Sequence, residues 1–252
     1  MIIDMKDGVY MSYYLKVLAG LFFPRKCSNC LVVFDEGEYN WICERCMAGL
    51  SAGGMGPGCG ICGKPFSIDF QTSSYLCGDC SSGPPPYDLL RSIRGYDGVF
   101  KELIHDFKYH KLPGLGKDLG KLLISFMQKS GFPMDFDLLI PVPVHKKKLV
   151  ERGYDPPFLL AENLAREFHV PISIKCLVKA KRTAPQVSLR RKERLQNLKG
   201  AFALAGDGGA ARGKRVLLLD DVLTTGATMR ECSLVLKEGG ADRVYGVTLA
   251  RA

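Results

Sequence analysis

Two adjacent carboxylates, Asp220 and Asp221, stand just before a run of small and hydroxyl residues, Thr224-Thr225-Gly226-Ala227-Thr228. Backbone N–H groups of such a run, at the positive end of a following helix, can take up a phosphate. Gly226 lets the backbone approach it closely, and the Thr hydroxyls donate further hydrogen bonds. The acidic pair can then accept hydrogen bonds from hydroxyls of the same ligand, or hold a Mg²⁺ shell near them. Together these residues fit a phosphorylated, hydroxyl-bearing small molecule.

The second chemical constellation is made of thiols. Eight of the ten cysteines fall in four CxxC pairs: Cys27/Cys30, Cys43/Cys46, Cys59/Cys62 and Cys77/Cys80. Each pair can give two thiolates to one ion, and two pairs close a tetrahedral Zn²⁺ site, so the spacing predicts two structural zinc ions. No secretory signal pattern precedes the cysteines, which argues against a disulfide framework. A thioredoxin-like motif would be single and would follow a strand. Sequential pairing gives two consecutive zinc ribbons; crossed pairing satisfies the same spacing. Such closed sites have no open coordination position, and zinc then supplies folding energy that so small a segment lacks. Cys176 and Cys232 stand apart from the pairs and read as core residues.

Elements must hold these groups in place. Val216-Leu217-Leu218-Leu219 is a continuous apolar run, the pattern of a parallel strand buried on both faces, and it ends at the acidic pair. A helix is expected from about Ala227 to Glu238. Further strands are expected near residues 92–96, 137–141, 201–204 and 243–249, and helices near 100–109, 115–129 and 158–168. This alternation argues for an α/β fold, a largely parallel sheet with helices on both faces. In such sheets ligands sit at the carboxyl edge of the strands. No Walker A sequence accompanies the acidic strand. Gly114, Gly116, Gly120 and Lys121 have the wrong spacing, Leu122 stands where Ser or Thr is required, and the stretch reads as an amphipathic helix.

At 252 residues the chain has room for one α/β domain and a smaller module. Pro84, Pro85 and Pro86 mark the boundary. The expected division is a lead-in over residues 1–26, a double zinc ribbon over 27–83 and the α/β domain over 87–252. The apolar stretch 9–23, broken by Lys16, is too short to span a bilayer unaided and reads as an amphipathic helix. No transmembrane segment is expected. Charge is unevenly spread: residues 1–90 carry 6 Lys/Arg against 9 Asp/Glu, and residues 91–252 carry 29 against 17. The second module is therefore basic, which implies a pyrophosphate-bearing substrate, a nucleic acid or both as company. Residues 175–199 alone hold nine basic residues and one acid.

Residues 216–228, VLLLDDVLTTGAT, resemble at every position the 13-residue motif with which type I phosphoribosyltransferases bind phosphoribosyl pyrophosphate (PRPP). The resemblance implies that residues 224–228 hold the ribose 5-phosphate and that Asp220 and Asp221 hold the ribose hydroxyls. A second buried strand, Leu138-Leu139-Ile140, runs into Pro141-Val142-Pro143-Val144-His145-Lys146-Lys147-Lys148, where such enzymes place a pyrophosphate loop, often with an unusual peptide geometry. Val144, His145, Lys146, Lys147 and, beyond them, Arg152 are thereby implied for pyrophosphate, with Mg²⁺ bridging PRPP oxygens. His145 reads equally well as a solvent-facing residue at a helix start. Asp220, Asp221 and Arg152 are the residues implied to act in transfer. The basic segment corresponds to a loop that closes over the reacting centre.

Zinc knuckles, PVPVH, ERGY, TAPQ at 183–186, GAF at 200–202 and a terminal VTLAR together resemble the ComF/ComFC competence-associated family, from about Leu21 onward. The chain departs from that pattern at Asp155-Pro156, where Asn-Gln is expected. The resemblance implies a cytoplasmic protein of DNA uptake in natural transformation. Single-stranded DNA and other competence or DNA-processing proteins are its implied partners. Purine-salvage enzymes carry an Asp where Thr224 stands, so the acceptor is unassigned. Two functions remain open: a PRPP-binding module that handles DNA, and an active transferase on an unidentified acceptor. An aromatic-rich basic groove would favour the first, and Tyr96, Phe107, Tyr109 and Tyr154 are the aromatic residues at hand.

Overall fold

The computed structural model describes residues 24–35, 37–66, 75–180 and 198–252. The helix expected over 9–23 and most of the basic segment, including TAPQ, lie outside the described residues. A parallel sheet in the order β1-β6-β5-β2 forms the centre, from β1 (Leu89–Gly95), β2 (Leu138–Pro141), β5 (Arg215–Leu223) and β6 (Arg243–Arg251). Strand alternation divides β5 between two cores. Leu217 and Leu219 pack on one face with α3 (Gly98–Tyr109), α4 (Leu115–Lys129) and α6 (Pro156–Phe168). Val216 and Leu218 pack on the other with α7 (Ala227–Glu238) and a two-stranded antiparallel hairpin, β3 (Leu177–Lys179) and β4 (Phe202–Leu204). All four of these β5 residues are fully buried, which is why the run is apolar without alternation.

Two local expectations are corrected. β5 does not end at Leu219 but continues through the acidic pair, because β6 runs beside it and pairs Thr248 with Asp220, Ala250 with Val222 and Arg251 with Leu223. The lysines after β2 are not in a loop. Lys146, Lys147 and Lys148 form the first turn of a short helix, α5 (Lys146–Arg152), capped by His145, whose ring nitrogen accepts from the Lys147 N–H at 3.2 Å. All described peptide bonds are trans, so residues 141–144 follow β2 without a cis peptide.

The zinc-ribbon segment does not stand apart from the sheet. Cys27, Ile42, Cys43, Met47 and Leu50, the last two on α1 (Glu44–Ala52), join the same core as Phe100, Leu103 and Leu119. Asp118, whose charge marks a solvent-facing position on an isolated α4, is wholly buried and receives the backbone N–H groups of Asn40 at 3.1 Å, Trp41 at 2.7 Å and Ile42 at 3.0 Å. The glycines that imitate a phosphate loop are close-packing positions. A Cβ on Gly114 would collide with Trp41 Nε1, and one on Gly120 would lie 2.8 Å from Asn163 Cβ. Asp118→Ala leaves three donors without their acceptor, one of them fully buried. We expect a loss of about 2–3 kcal/mol in denaturant titration, since a buried orphan costs about 1–3 kcal/mol and the two part-buried donors less. A change below about 1 kcal/mol would show that water replaces the carboxylate.

Candidate functional site

The thiols form two groups. Sulfurs of Cys27, Cys30, Cys43 and Cys46 lie within 4.8 Å of one another, and so do those of Cys59, Cys62, Cys77 and Cys80, which settles the pairing as sequential. The Cys30–Cys43 and Cys62–Cys77 sulfurs are 3.7 and 3.6 Å apart. A Zn–S bond of ~2.3 Å sets the edge of a ZnS₄ tetrahedron at about 3.8 Å, so both groups fit zinc. Each site is assembled alike. A tight knuckle carries the first pair, closed by Leu31 N–H to Cys27 C=O and by Gly63 N–H to Cys59 C=O, both 2.9 Å. The second pair sits at a helix start: Cys43 precedes α1, and Cys77 precedes α2 (Gly78–Ser82). Knuckle amides favour thiolate. The Val32 N–H brings Cys30 down to about 6. At Cys59 burial opposes ionisation, but backbone N–H groups of Cys62, Cys77 and Ile61 outweigh it and the thiol again falls to about 6. The two ribbons are structural Cys₄ zinc sites.

At the carboxyl edge of the sheet, the acidic pair is held by its own backbone and by a cation that sequence reasoning missed. Asp221 N–H donates to Asp220 Oδ1 at 2.8 Å, and Val222 N–H donates to Asp221 Oδ1 at 2.6 Å. Lys108 Nζ, from the last turn of α3, lies 2.8 Å from Asp221 Oδ1, with side-chain exposures of 13% and 12%. Burial disfavours the Lys108 ammonium, yet the charges of Asp221 and Asp220 hold it protonated, above the usual lysine range. Burial likewise pushes the Asp220 carboxyl up to about 8, with the Asp221 charge adding to it. A sequence signal for Lys108 existed: it follows Phe100 and Ile104 at helical spacing, so it continues a buried stripe. Lys179, at the end of β3, is the member of the basic segment 175–199 that the described residues place near Asp220. Burial and the charge of Lys148 lower it, and Asp220 is among its electrostatic neighbours.

The turn at residues 224–228 has the local geometry its sequence requires. Gly226 has φ 77°, a left-handed conformation that glycine adopts at little cost, and α7 starts on it. Ala227 N–H reaches Thr225 Oγ1 at 3.3 Å, and Thr224 is exposed. The turn from α5 to α6 is locked onto the end of α3. Arg152 lies over the Tyr109 ring, 5.0 Å from its centroid, and Gly153 is the left-handed cap of α5. The Tyr154 hydroxyl donates to the Phe107 carbonyl, and Asp155 caps α6 through Phe158 N–H at 3.4 Å. With Pro156 and Pro157 heading α6, Phe158 offers its first available N–H, which accounts for Asp-Pro-Pro in this turn. Burial raises the Asp155 carboxyl to about 6, and the Asp221 charge contributes. The structure thus brings Asp220, Asp221 and residues 224–228 to one edge, with Asp155 near enough to feel the Asp221 charge and Arg152 held on Tyr109. The side chains of Lys146 and Lys147 are exposed, with Val144 and His145 between them and β2. Of the aromatic residues, Phe107 is core and Tyr109 is exposed.

Fold and site define a phosphoribosyltransferase-type domain carrying a double zinc ribbon. Residues 18–81 match the double zinc ribbon domain family and residues 158–252 the phosphoribosyl transferase domain family. Competence protein F of Haemophilus influenzae is 31% identical over 234 residues, covering 92% of this chain and 99% of its own. The chain belongs to the ComF family. DNA utilization protein YhgH of Escherichia coli is 28% identical, covering 83% of this chain and 96% of its own. Among solved structures, the glutamine PRPP amidotransferase of B. subtilis is 26% identical at a TM-score of 0.35, over 53% of this chain and 25% of that enzyme.

Proposed function

We propose that this chain is a PRPP-binding, type I phosphoribosyltransferase-like protein that acts in DNA uptake and utilisation. The observation that carries PRPP is the acidic pair at the edge of β5 leading directly into a left-handed Gly226 and the start of α7. Residues 224–228 take the 5-phosphate, Asp220 and Asp221 accept from the ribose hydroxyls, and Arg152 with the start of α5 meets the pyrophosphate. Mg²⁺, when bound with PRPP, neutralises pyrophosphate charge. The protein's part is to position the ribose and the leaving group. DNA enters from the names of the relatives, competence protein F and DNA utilization protein, and from the basic balance of residues 91–252. Reduced thiolate sites suit the cytoplasm. Among the described residues no helix is long and apolar enough to cross a membrane.

Calorimetric titration with Mg–PRPP tests the first half, and absence of binding would overturn it. Pyrophosphate release over a panel of acceptors would identify an active transferase. The DNA half is tested by single-strand binding against salt, since neutralised phosphates release counterions. Replacing Arg190, Arg191 and Lys192 by Ala is expected to flatten the log–log slope by about 0.7 for each phosphate that is no longer neutralised. No binding at low salt would refute direct DNA contact.

A further inference from the structure

We propose that Lys108 selects the diphosphate of PRPP: it fixes Asp221 through one oxygen and presents its remaining donors to the leaving group. The inference rests on the PRPP reading above. An ammonium carries three donors. Among the described residues, Asp221 Oδ1 is the one acceptor Lys108 reaches, at 2.8 Å. That oxygen also takes the Val222 N–H at 2.6 Å, so both bonds converge on Oδ1. The carboxylate is therefore held and still able to accept from a ribose hydroxyl, and Lys108 does not need to move.

Lys108 engages Asp221 with one of its three donors, so two remain for a second anion. The neighbouring residue on α3, Tyr109, carries the Arg152 guanidinium on its ring at 5.0 Å. The last turn of α3 thus holds Lys108 on Asp221 and, one residue on, carries Arg152 on the Tyr109 ring. The side chains of Lys146 and Lys147, by contrast, are exposed, and Lys147 faces Glu151 at 3.9 Å. Lys108 is the partly desolvated cation nearest the ribose-binding carboxylate, where an anomeric diphosphate projects from the sugar. A point charge fixed there distinguishes PRPP from ribose 5-phosphate, which lacks that group.

The zinc-loaded full chain, as the parent and as Lys108→Met, is titrated with Mg–PRPP and with ribose 5-phosphate. The expected result is a loss of about tenfold or more for PRPP and less than about threefold for ribose 5-phosphate. Equal losses for both ligands would make Lys108 a strut for Asp221 alone and overturn the proposal, as would no loss for either. Should the methionine variant melt below assay temperature, Lys108→Gln, which keeps a donor for Asp221, carries the same comparison. A parent protein that binds neither ligand overturns the PRPP reading itself. A parent that binds both, with unchanged selectivity in the variants, overturns only the role given to Lys108.

Discussion

Asp220→Asn is expected to keep the fold and to weaken Mg–PRPP binding by about 10–100-fold, the range for losing a hydrogen bond to a charged group. The gap should be widest above pH 8, where the parent carries a full carboxylate. Burial, reinforced by the charge of Asp221, holds the folded carboxyl at about 8, far above the ordinary 3.8. Between those values the folded protein retains a proton that the unfolded chain has released. Stability contributed by that proton is therefore lost as pH rises through the window. Asparagine does not titrate, so the melting temperature of the variant should fall less between pH 5 and 8 than that of the parent. Asp221→Asn behaves differently, because it strands the Lys108 ammonium that now lies 2.8 Å from a carboxylate. Removing one partner of such a pair costs about 3–5 kcal/mol. Calorimetry with PRPP, beside thermal melts across pH, separates the two aspartates. Equal melting temperatures for the two variants, or unchanged PRPP affinity, would refute these roles.

Cys27→Ser is expected to release one of two zinc ions and to unfold the chain well beyond its own ribbon. Cys27 is completely buried and shares its core with Phe100, Leu103 and Leu119. Structural zinc contributes about 10–16 kcal/mol to folding in small modules, comparable with the whole stability of a domain. Cys59→Ser should also release one zinc, but its site forms a separate cluster with Ile61, Phe66 and Tyr87, so the sheet should melt close to the parent temperature. Elemental analysis with scanning calorimetry decides this. Fewer than two zinc ions in the parent, or equal melting of the two variants, would contradict the assignment.

What the chain displayed in advance were features governed by local pattern. A strand buried on both faces writes itself as Val216-Leu217-Leu218-Leu219, and thiolate pairs write themselves as CxxC. The turn at 224–228 was legible because Gly226 is left-handed there. Groups completed by distant partners were not. Lys108 becomes part of the site only when the end of α3 meets the end of β5. Asp118 looks like a surface residue until the N–H groups of residues 40–42 converge on it. The helix α5 was legible only through the alternative reading of His145 at a helix start, because three lysines there oppose the backbone dipole. Residues 146–152 are helical despite them, with the His145 cap and Gly153 in place at either end. The continuation of β5 past Leu219 depends on β6, which supplies the ladder.

β1 lies at the end of the sheet, and the second zinc knuckle lies against it. Leu90 N–H donates to Ile61 C=O at 2.8 Å, while Arg91 donates to the carbonyls of Gly60 and Ile61 at 2.9 and 3.1 Å. Arg251, closing β6, donates to Cys62 C=O. An open strand edge offers unpaired amides to any other chain, and proteins guard against this by covering it. The knuckle is such a cover, and its shape depends on the metal. Losing zinc from the second site would thus leave the sheet folded but adhesive, and its visible outcome would be self-association of nearly native molecules.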